Sequence, residues 1–166
     1  DKNAYKILNL KKPFIEKAIY ESCLIKKKVV EKDEKEKNLR KILNFGHTFG
    51  HAYEATNKYS KKLNHGEAVL LGITNATKFS YKNNYINKKN YERILSHLNK
   101  LKLPTKISKF FSKKDSKKIL SFMKKDKKNY DSKINLILLK KIGKSIHNLN
   151  FSSNKIYKFI KTELIN

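Results

Sequence analysis

Apolar side chains recur every three or four residues over most of the chain, which is the period of amphipathic helices. Pro13 suits the first turn of a helix, and we predict a first helix from there to about Asp33. Its inner stripe is formed by Ile15, Ala18, Ile19, Ser22, Lys26, Val29 and Val30. Lys26 lies on this inner stripe, where a lysine either reaches out to solvent or is placed to hold a ligand.

The same period continues through most of the remaining chain, and capping residues and helix breakers limit each segment. It predicts further helices at about 37–56, from just after His65 to about Tyr81, and at 87–101, 112–124 and 152–164. Asn83-Asn84 and Pro104 supply two of the breaks between them.

The period shortens after residue 133, where an apolar and β-branched run extends from Ile134 to Leu139. Gly143 lies in a short segment that can turn the chain, and Ser145 to Leu149 can return as a second strand. We therefore predict a mainly α fold with a small β-hairpin near residues 134–150. No internal repeat or linker interrupts it, so residues 1–166 are expected to form a single helical domain.

The predicted helix at 37–56 carries an unusual set of polar residues. At about 100° per residue, Arg40, Asn44, His47 and His51 fall within an arc of about 60° on one face. A guanidinium, an amide and two imidazoles in an otherwise apolar helix need a shared partner. An anionic small molecule fits this set, and so does a metal ion bound by imidazole.

Glycines are concentrated around these histidines. Gly46 and Gly50 lie one turn apart in the predicted helix, where each costs roughly 1 kcal/mol relative to alanine. The presence of these two glycines is explained if another helix or a substrate approaches the backbone closely.

A third histidine, His65, opens the following helix and can complete a metal site begun by His47. The spacing His47-x-x-x-His51 is a weak signal by itself, because such pairs also occur on helix faces that bind nothing. Arg40 and Asn44 on the same stripe favour the functional interpretation. We expect structural roles for His97 and His147, and we expect Cys23 to be a small core residue.

Composition changes this interpretation little. The formal net charge is +26, which raises nucleic-acid binding as a possibility. The lysines are spread along the whole chain, however, and codon bias in an A/T-rich genome is a sufficient hypothesis for them. No apolar run has the length of a membrane span. With one cysteine no internal disulfide can form, and we expect a reducing, cytoplasmic setting.

Three stretches in order resemble the 3-dehydroquinate synthase family. The resemblance covers nearly the whole chain, and it is closest to the family's mainly helical C-terminal domain. The stretches are the segment from Lys26 to Arg40, Leu43-Asn-Phe-Gly-His-Thr-Phe-Gly-His-Ala-Tyr-Glu54, and His65-Gly-Glu-Ala-Val69. Asp126-Lys127-Lys128 and the hairpin that follows look like the family's closing stretch.

The resemblance implies a role for each matching residue. His47 and His65 would bind zinc or cobalt, and Lys26 and Arg40 would hold the hydroxyls and the carboxylate of a sugar-phosphate substrate. Asn44, His51 and one lysine of the Lys127-Lys128 pair would hold its phosphate; either lysine fits. Lys26, Arg40 and His51 are thus the expected catalytic residues.

The family's reaction converts 3-deoxy-arabino-heptulosonate 7-phosphate to 3-dehydroquinate and phosphate in the shikimate pathway of aromatic amino acid biosynthesis. It uses NAD for a transient oxidation, and the family suggests a homodimer. The NAD-binding N-terminal α/β domain and the third metal ligand, a glutamate, lie upstream of the stretches that match. We therefore expect this chain alone to bind no NAD, to hold zinc weakly and to be inactive without an N-terminal partner domain.

The sequence is also compatible with two other functions. Another sugar-phosphate cyclase of the same fold would share the helical domain, as more remotely would alcohol dehydrogenases of the glycerol dehydrogenase type. Lys26 together with Arg40 and Asn44 favours dehydroquinate synthase. A basic helical nucleic-acid-binding protein is the third possibility, but it leaves the polar stripe unexplained.

Overall fold

The computed structural model describes residues 2–125 and 133–165. Within these ranges the chain forms seven α-helices and one antiparallel hairpin, which confirms the predicted fold class. The helices are α1 (Ala4–Leu8), α2 (Phe14–Lys32), α3 (His47–Thr56), α4 (His65–Lys82), α5 (Lys88–Lys100), α6 (Ser116–Lys124) and α7 (Ser153–Glu163). The hairpin strands are β1 (Lys133–Lys141) and β2 (Lys144–Ser152). Three short 3₁₀ segments lie at Leu39–Asn44, Ile107–Lys109 and Lys113–Asp115.

The predicted continuous helix at 37–56 is wrong. A 3₁₀ segment ends at Asn44, Phe45 is extended with φ −57° and ψ 122°, and α3 begins only at His47. Gly46 separates the two segments with a φ of 83°, a left-handed conformation that glycine adopts without strain. Its place in the sequence is therefore explained by the break between two helical segments rather than by a helix interior.

Helices α3 and α4 approach each other at their glycines. A methyl group placed on Gly72 would lie 2.1 Å from the carbonyl oxygen of Gly46 and 2.7 Å from the backbone nitrogen of Gly50. One placed on Gly50 would lie 3.1 Å from the carbonyl oxygen of Ala68. The expectation that another helix approaches these glycines closely is confirmed, and this contact fixes the histidines of α3 relative to His65 of α4.

The core lies between α3, α4, α6, α7 and one face of the hairpin. Ile134, Leu136 and Leu138 of β1 alternate inward, as a strand with one buried face requires. Burying a side chain of this size contributes about 1.5–3 kcal/mol. The largest fully buried members from the helices of this cluster are Phe49, Tyr53, Leu71, Phe79, Ile119, Met123 and Ile156.

Helix α2 lies outside this core and contains no buried residue. Its predicted inner stripe is therefore not buried within the described chain, and Ile19 on that stripe is 57% exposed. Tyr20 and Ile25 are also exposed on the same helix. The prediction that Cys23 is a core residue is wrong, because it is exposed on this helix, which packs outside the core. In the described ranges no helix is both long and apolar enough to cross a membrane.

Candidate functional site

Three histidines meet where α3 and α4 begin. His47 is the first residue of α3, His51 follows one turn later, and His65 is the first residue of α4. The His47 ring centroid lies 5.3 Å from that of His51 and 6.2 Å from that of His65, and the His51 and His65 centroids are also 6.2 Å apart. The structure thus brings together all three histidines that the sequence singled out.

A capping box sets the first residue of α4 and with it the position of His65. The Asn64 side chain accepts a hydrogen bond from the backbone N–H of Glu67 at 2.9 Å. The Glu67 carboxylate accepts one in return from the backbone N–H of Asn64 at 3.0 Å. These two bonds satisfy N–H groups that have no partner inside the helix, so the helix begins reproducibly at His65.

The spacing of the rings fits a shared transition-metal ion. Because a Zn–N bond is about 2.0–2.1 Å long, two imidazoles on one tetrahedral ion have ring centroids roughly 5 Å apart. The observed separations of 5.3 and 6.2 Å are near this value. Among the described residues, however, no three His, Cys, Asp or Glu side chains are arranged as a ready metal site. The metal site therefore stays a prediction, which the ring spacing suits but does not complete.

A carboxylate contacts this cluster. Glu54 Oε2 lies 3.0 Å from Nδ1 of His65, and the Glu54 side chain is 13% exposed. Sequence reasoning missed Glu54. Its spacing was informative, because residues 47, 51 and 54 are separated by four and three positions and so share one face of α3.

A cavity of about 460 Å³ opens beside the histidine cluster. It contains Lys26, Arg40, Asn44 and His47, four of the residues assigned by resemblance, although no single helix carries them. Lys26 comes from α2, Arg40 and Asn44 from the 3₁₀ segment, and His47 from α3. The complete lining is Ser22, Ile25, Lys26, Glu36, Arg40, Leu43, Asn44 and His47.

Glu36 is the acidic residue of a lining that also contains the cations Lys26 and Arg40, and sequence reasoning missed it. Its carboxylate accepts a hydrogen bond from the Asn44 amide at 2.6 Å, which orients that amide. A carboxylate in a substrate-sized cavity can also accept a proton from a bound hydroxyl. Little in the sequence indicated a role for Glu36, because the acidic and basic residues around it follow no helical or strand period.

The loop that carries Glu36 and Arg40 is held by Asp33. The Asp33 carboxylate accepts backbone hydrogen bonds from Lys37 at 2.9 Å, Asn38 at 2.7 Å and Arg40 at 3.0 Å. These hydrogen bonds lower the pKa of Asp33 below its ordinary value of 3.8, and the bond from Arg40 has the largest effect. Arg40 is fixed a second time, because its Nη1 donates to the Glu34 carbonyl oxygen at 2.6 Å.

Acid should release this loop. Since the folded pKa of Asp33 is lowered, its stabilising effect is complete above about pH 4 and is lost as the pH falls through the lowered pKa. In NMR spectra, the amides of Lys37, Asn38 and Arg40 should titrate together with a midpoint below 3.8. Asp33→Asn should abolish this shared midpoint. Asp115→Asn should leave it, because the Asp115 carboxylate accepts its hydrogen bonds from Ser112, outside this loop. Retention of the midpoint in Asp33→Asn would refute the assignment.

The remaining predicted phosphate ligands, Lys127 and Lys128, lie outside the described residues. The structure therefore reports on six of the eight predicted site residues. It places Lys26, Arg40, Asn44 and His47 at one cavity and joins His51 and His65 to it through the histidine cluster. Which of the three imidazoles bind metal and which binds phosphate stays a prediction.

Comparison with known sequences agrees with the resemblance. A family model described as 3-dehydroquinate synthase C-terminal matches residues 1–129. A 3-dehydroquinate synthase of Pelagibacter ubique is 59% identical over 164 residues, which cover 99% of this chain and 45% of the relative. One from Thermoanaerobacter pseudethanolicus is 44% identical over 145 residues, 87% of this chain and 39% of that protein. The chain thus spans less than half the length of these relatives.

Solved structures support the fold. A 2-epi-5-epi-valiolone synthase from Streptomyces hygroscopicus with NAD⁺ and Zn²⁺ bound matches with a TM-score of 0.65 at 19% identity, over 82% of this chain and 36% of that one. A 2-deoxy-scyllo-inosose synthase complexed with carbaglucose-6-phosphate, NAD⁺ and Co²⁺ matches with a TM-score of 0.59 at 24% identity. That match covers 76% of this chain and 35% of the other.

Proposed function

The chain belongs to the 3-dehydroquinate synthase family, and from this premise we propose that it forms the substrate- and metal-binding C-terminal part of an active 3-dehydroquinate synthase. The reaction is the conversion of 3-deoxy-arabino-heptulosonate 7-phosphate to 3-dehydroquinate and phosphate in the shikimate pathway. One observation carries the proposal: a cationic cavity with Lys26, Arg40 and Asn44 opens directly beside a cluster of three histidines.

The cavity residues suit a substrate with an anionic group at each end. Lys26 and Arg40 would hold the carboxylate and the hydroxyls, and Arg40 is already fixed in place by the Glu34 carbonyl oxygen. Asn44 and His51, with Lys127 or Lys128, would hold the phosphate. Holding both ends positions the central carbons for reaction, which can supply a large part of a rate enhancement.

Two cofactors belong to this proposal. His47 and His65 would bind a zinc or cobalt ion, which polarises a substrate hydroxyl, and NAD held by an N-terminal domain supplies a transient oxidation. Glu36 lies in the same cavity, where it orients Asn44 and can accept a proton from a substrate hydroxyl.

We further propose that the N-terminal domain covers the exposed face of α1 and α2. Leu8, Leu10, Ile19, Tyr20 and Ile25 on and around these helices are 47–71% exposed, although such side chains normally seek burial. The relatives have more than half of their length beyond the matched part, which leaves room for such a domain. The complete enzyme is expected to be a homodimer in the cytoplasm.

A hybrid enzyme tests the proposed reaction. In this hybrid, the chain replaces the matching part of the Pelagibacter ubique relative, to which it is 59% identical. With NAD and zinc it should release phosphate and 3-dehydroquinate in equal amounts from the heptulosonate phosphate and leave glucose 6-phosphate unchanged. Arg40→Ala should raise KM, because it removes a donor to the substrate carboxylate. A folded, metal-loaded hybrid that turns over glucose 6-phosphate instead would assign the chain to another cyclase, and one that turns over neither would refute the proposal.

A further inference from the structure

We propose that Glu54 is a positioning residue for the metal centre: it holds the His65 imidazole in the orientation and tautomer that an ion requires. This inference rests on the proposed function, because it assigns His65 to metal binding. It adds a carboxylate that the sequence motifs did not single out.

The contact joins the two helices that carry the histidines. Glu54 projects from α3 and its Oε2 lies 3.0 Å from Nδ1 of His65, the first residue of α4. Burial is unequal between the partners, since the Glu54 side chain is 13% exposed and the His65 side chain is 63% exposed. The carboxylate is therefore the fixed partner, and it restricts an imidazole that could otherwise rotate in solvent.

The chemistry of the contact selects one tautomer. An ionised carboxylate has only acceptors, so Nδ1 of His65 must carry the proton of this hydrogen bond. In a neutral imidazole the lone pair then lies on Nε2, which leaves that atom as the donor to a metal ion. Histidines bound to metals commonly have such a partner on their other nitrogen, and it makes the ring a stronger ligand.

The position of the His65 imidazole relative to the two neighbouring histidine rings suits a metal ion bound between them. The His65 ring is 6.2 Å from the rings of both His47 and His51, so restricting its rotation sets the geometry of the whole cluster. Without Glu54, the ion would have to immobilise His65 itself at a cost in conformational entropy. We therefore expect Glu54 to raise metal affinity without contacting the substrate.

The test measures Co²⁺ affinity in the hybrid by competition with a chelator, together with the visible spectrum of the bound ion. Glu54→Ala should weaken Co²⁺ binding by about 10- to 100-fold, the usual effect of losing such a partner. Glu54→Gln keeps an oxygen acceptor for Nδ1–H and should restore much of the affinity. Glu92→Ala is the matched control, because Glu92 lies on exposed α5 and pairs only with Lys88 among the described ion pairs.

The outcomes separate this inference from the proposed function. If Glu54→Ala and Glu54→Gln both bind Co²⁺ as tightly as the parent hybrid while the parent turns over, the role of Glu54 is refuted and the function stands. If the parent hybrid neither binds Co²⁺ nor turns over, both fail. Should Glu54→Ala not fold, Glu54→Met takes its place, because it keeps most of the side-chain volume but offers Nδ1–H no oxygen acceptor. Weaker Co²⁺ binding and a changed cobalt spectrum in this variant support the role, and unchanged affinity and spectrum refute it.

Discussion

Replacing His65 by alanine is expected to abolish turnover in the hybrid and to weaken metal binding by more than about 100-fold, beyond the effect of losing an outer partner of the metal. The reason is that the chain contributes only His47 and His65 as proposed ligands. Metal content after gel filtration and the rate of phosphate release are the two measurements. His47→Ala should behave in the same way.

Two other histidines serve as comparisons for that experiment. His51→Ala should retain the metal and instead raise KM, because His51 is assigned to the phosphate. His97→Ala should change neither quantity, since that residue lies in the last turn of α5 and does not line the cavity. Loss of metal from His51→Ala with retention in His47→Ala or His65→Ala would reverse the ligand assignment.

Replacing Gly72 by alanine is expected to destabilise the fold strongly. The added carbon would lie 2.1 Å from the Gly46 carbonyl oxygen, which is a backbone atom that cannot rotate away. Overpacking usually costs about 1–3 kcal/mol, and a clash between two helix backbones should exceed about 3 kcal/mol. Urea unfolding followed by circular dichroism measures the change.

Gly66→Ala is the matched control on the same helix. The nearest atom to its added carbon is Oδ1 of Asn64 at 3.5 Å, which is ordinary van der Waals contact. Alanine also favours helix over glycine, so this variant should be neutral or more stable by up to about 1 kcal/mol. Equal unfolding midpoints for Gly72→Ala and Gly66→Ala would show that α3 and α4 do not approach as described.

The elements that sequence patterns predicted well are those with clear ends. Helix α4 has a capping box at Asn64 and Glu67, and the hairpin has a short apolar, β-branched run from Ile134 that is followed by a turn at Gly143. Local residues determine such features, so they are visible in the sequence. Helices α5, α6 and α7 likewise begin next to residues that the sequence identified as caps or segment starts.

The segment around Gly46 could not be predicted from period alone. Ile42, Phe45 and Phe49 continue a helical spacing across it, yet the helix is broken at Gly46, where the backbone of α4 lies against the chain. That contact is a tertiary one, which the period of a local segment does not reveal. The prediction that Arg40, Asn44 and His47 lie on one face of a continuous helix was therefore wrong, although these three residues do line one cavity.

At the site, the motifs shared with the family identified more of the residues than physical arguments about single residues did. Lys26 lies on a separate helix from Arg40, and only the resemblance predicted that they act together. Glu36 and Glu54 were missed because single acidic residues in a lysine-rich chain resemble surface charges. Their roles depend on contacts to Asn44 and His65, which only the folded structure displays.

The location of the metal is the most direct test of this site. An anomalous difference map of the crystallised hybrid, recorded at the zinc absorption edge, should show one ion within bonding distance of His47 and His65 nitrogens. We expect His51 to remain unbound to it and Glu54 to contact Nδ1 of His65. An ion bound to His51 in place of His65, or a zinc peak remote from all three histidines in an active hybrid, would contradict the proposed centre.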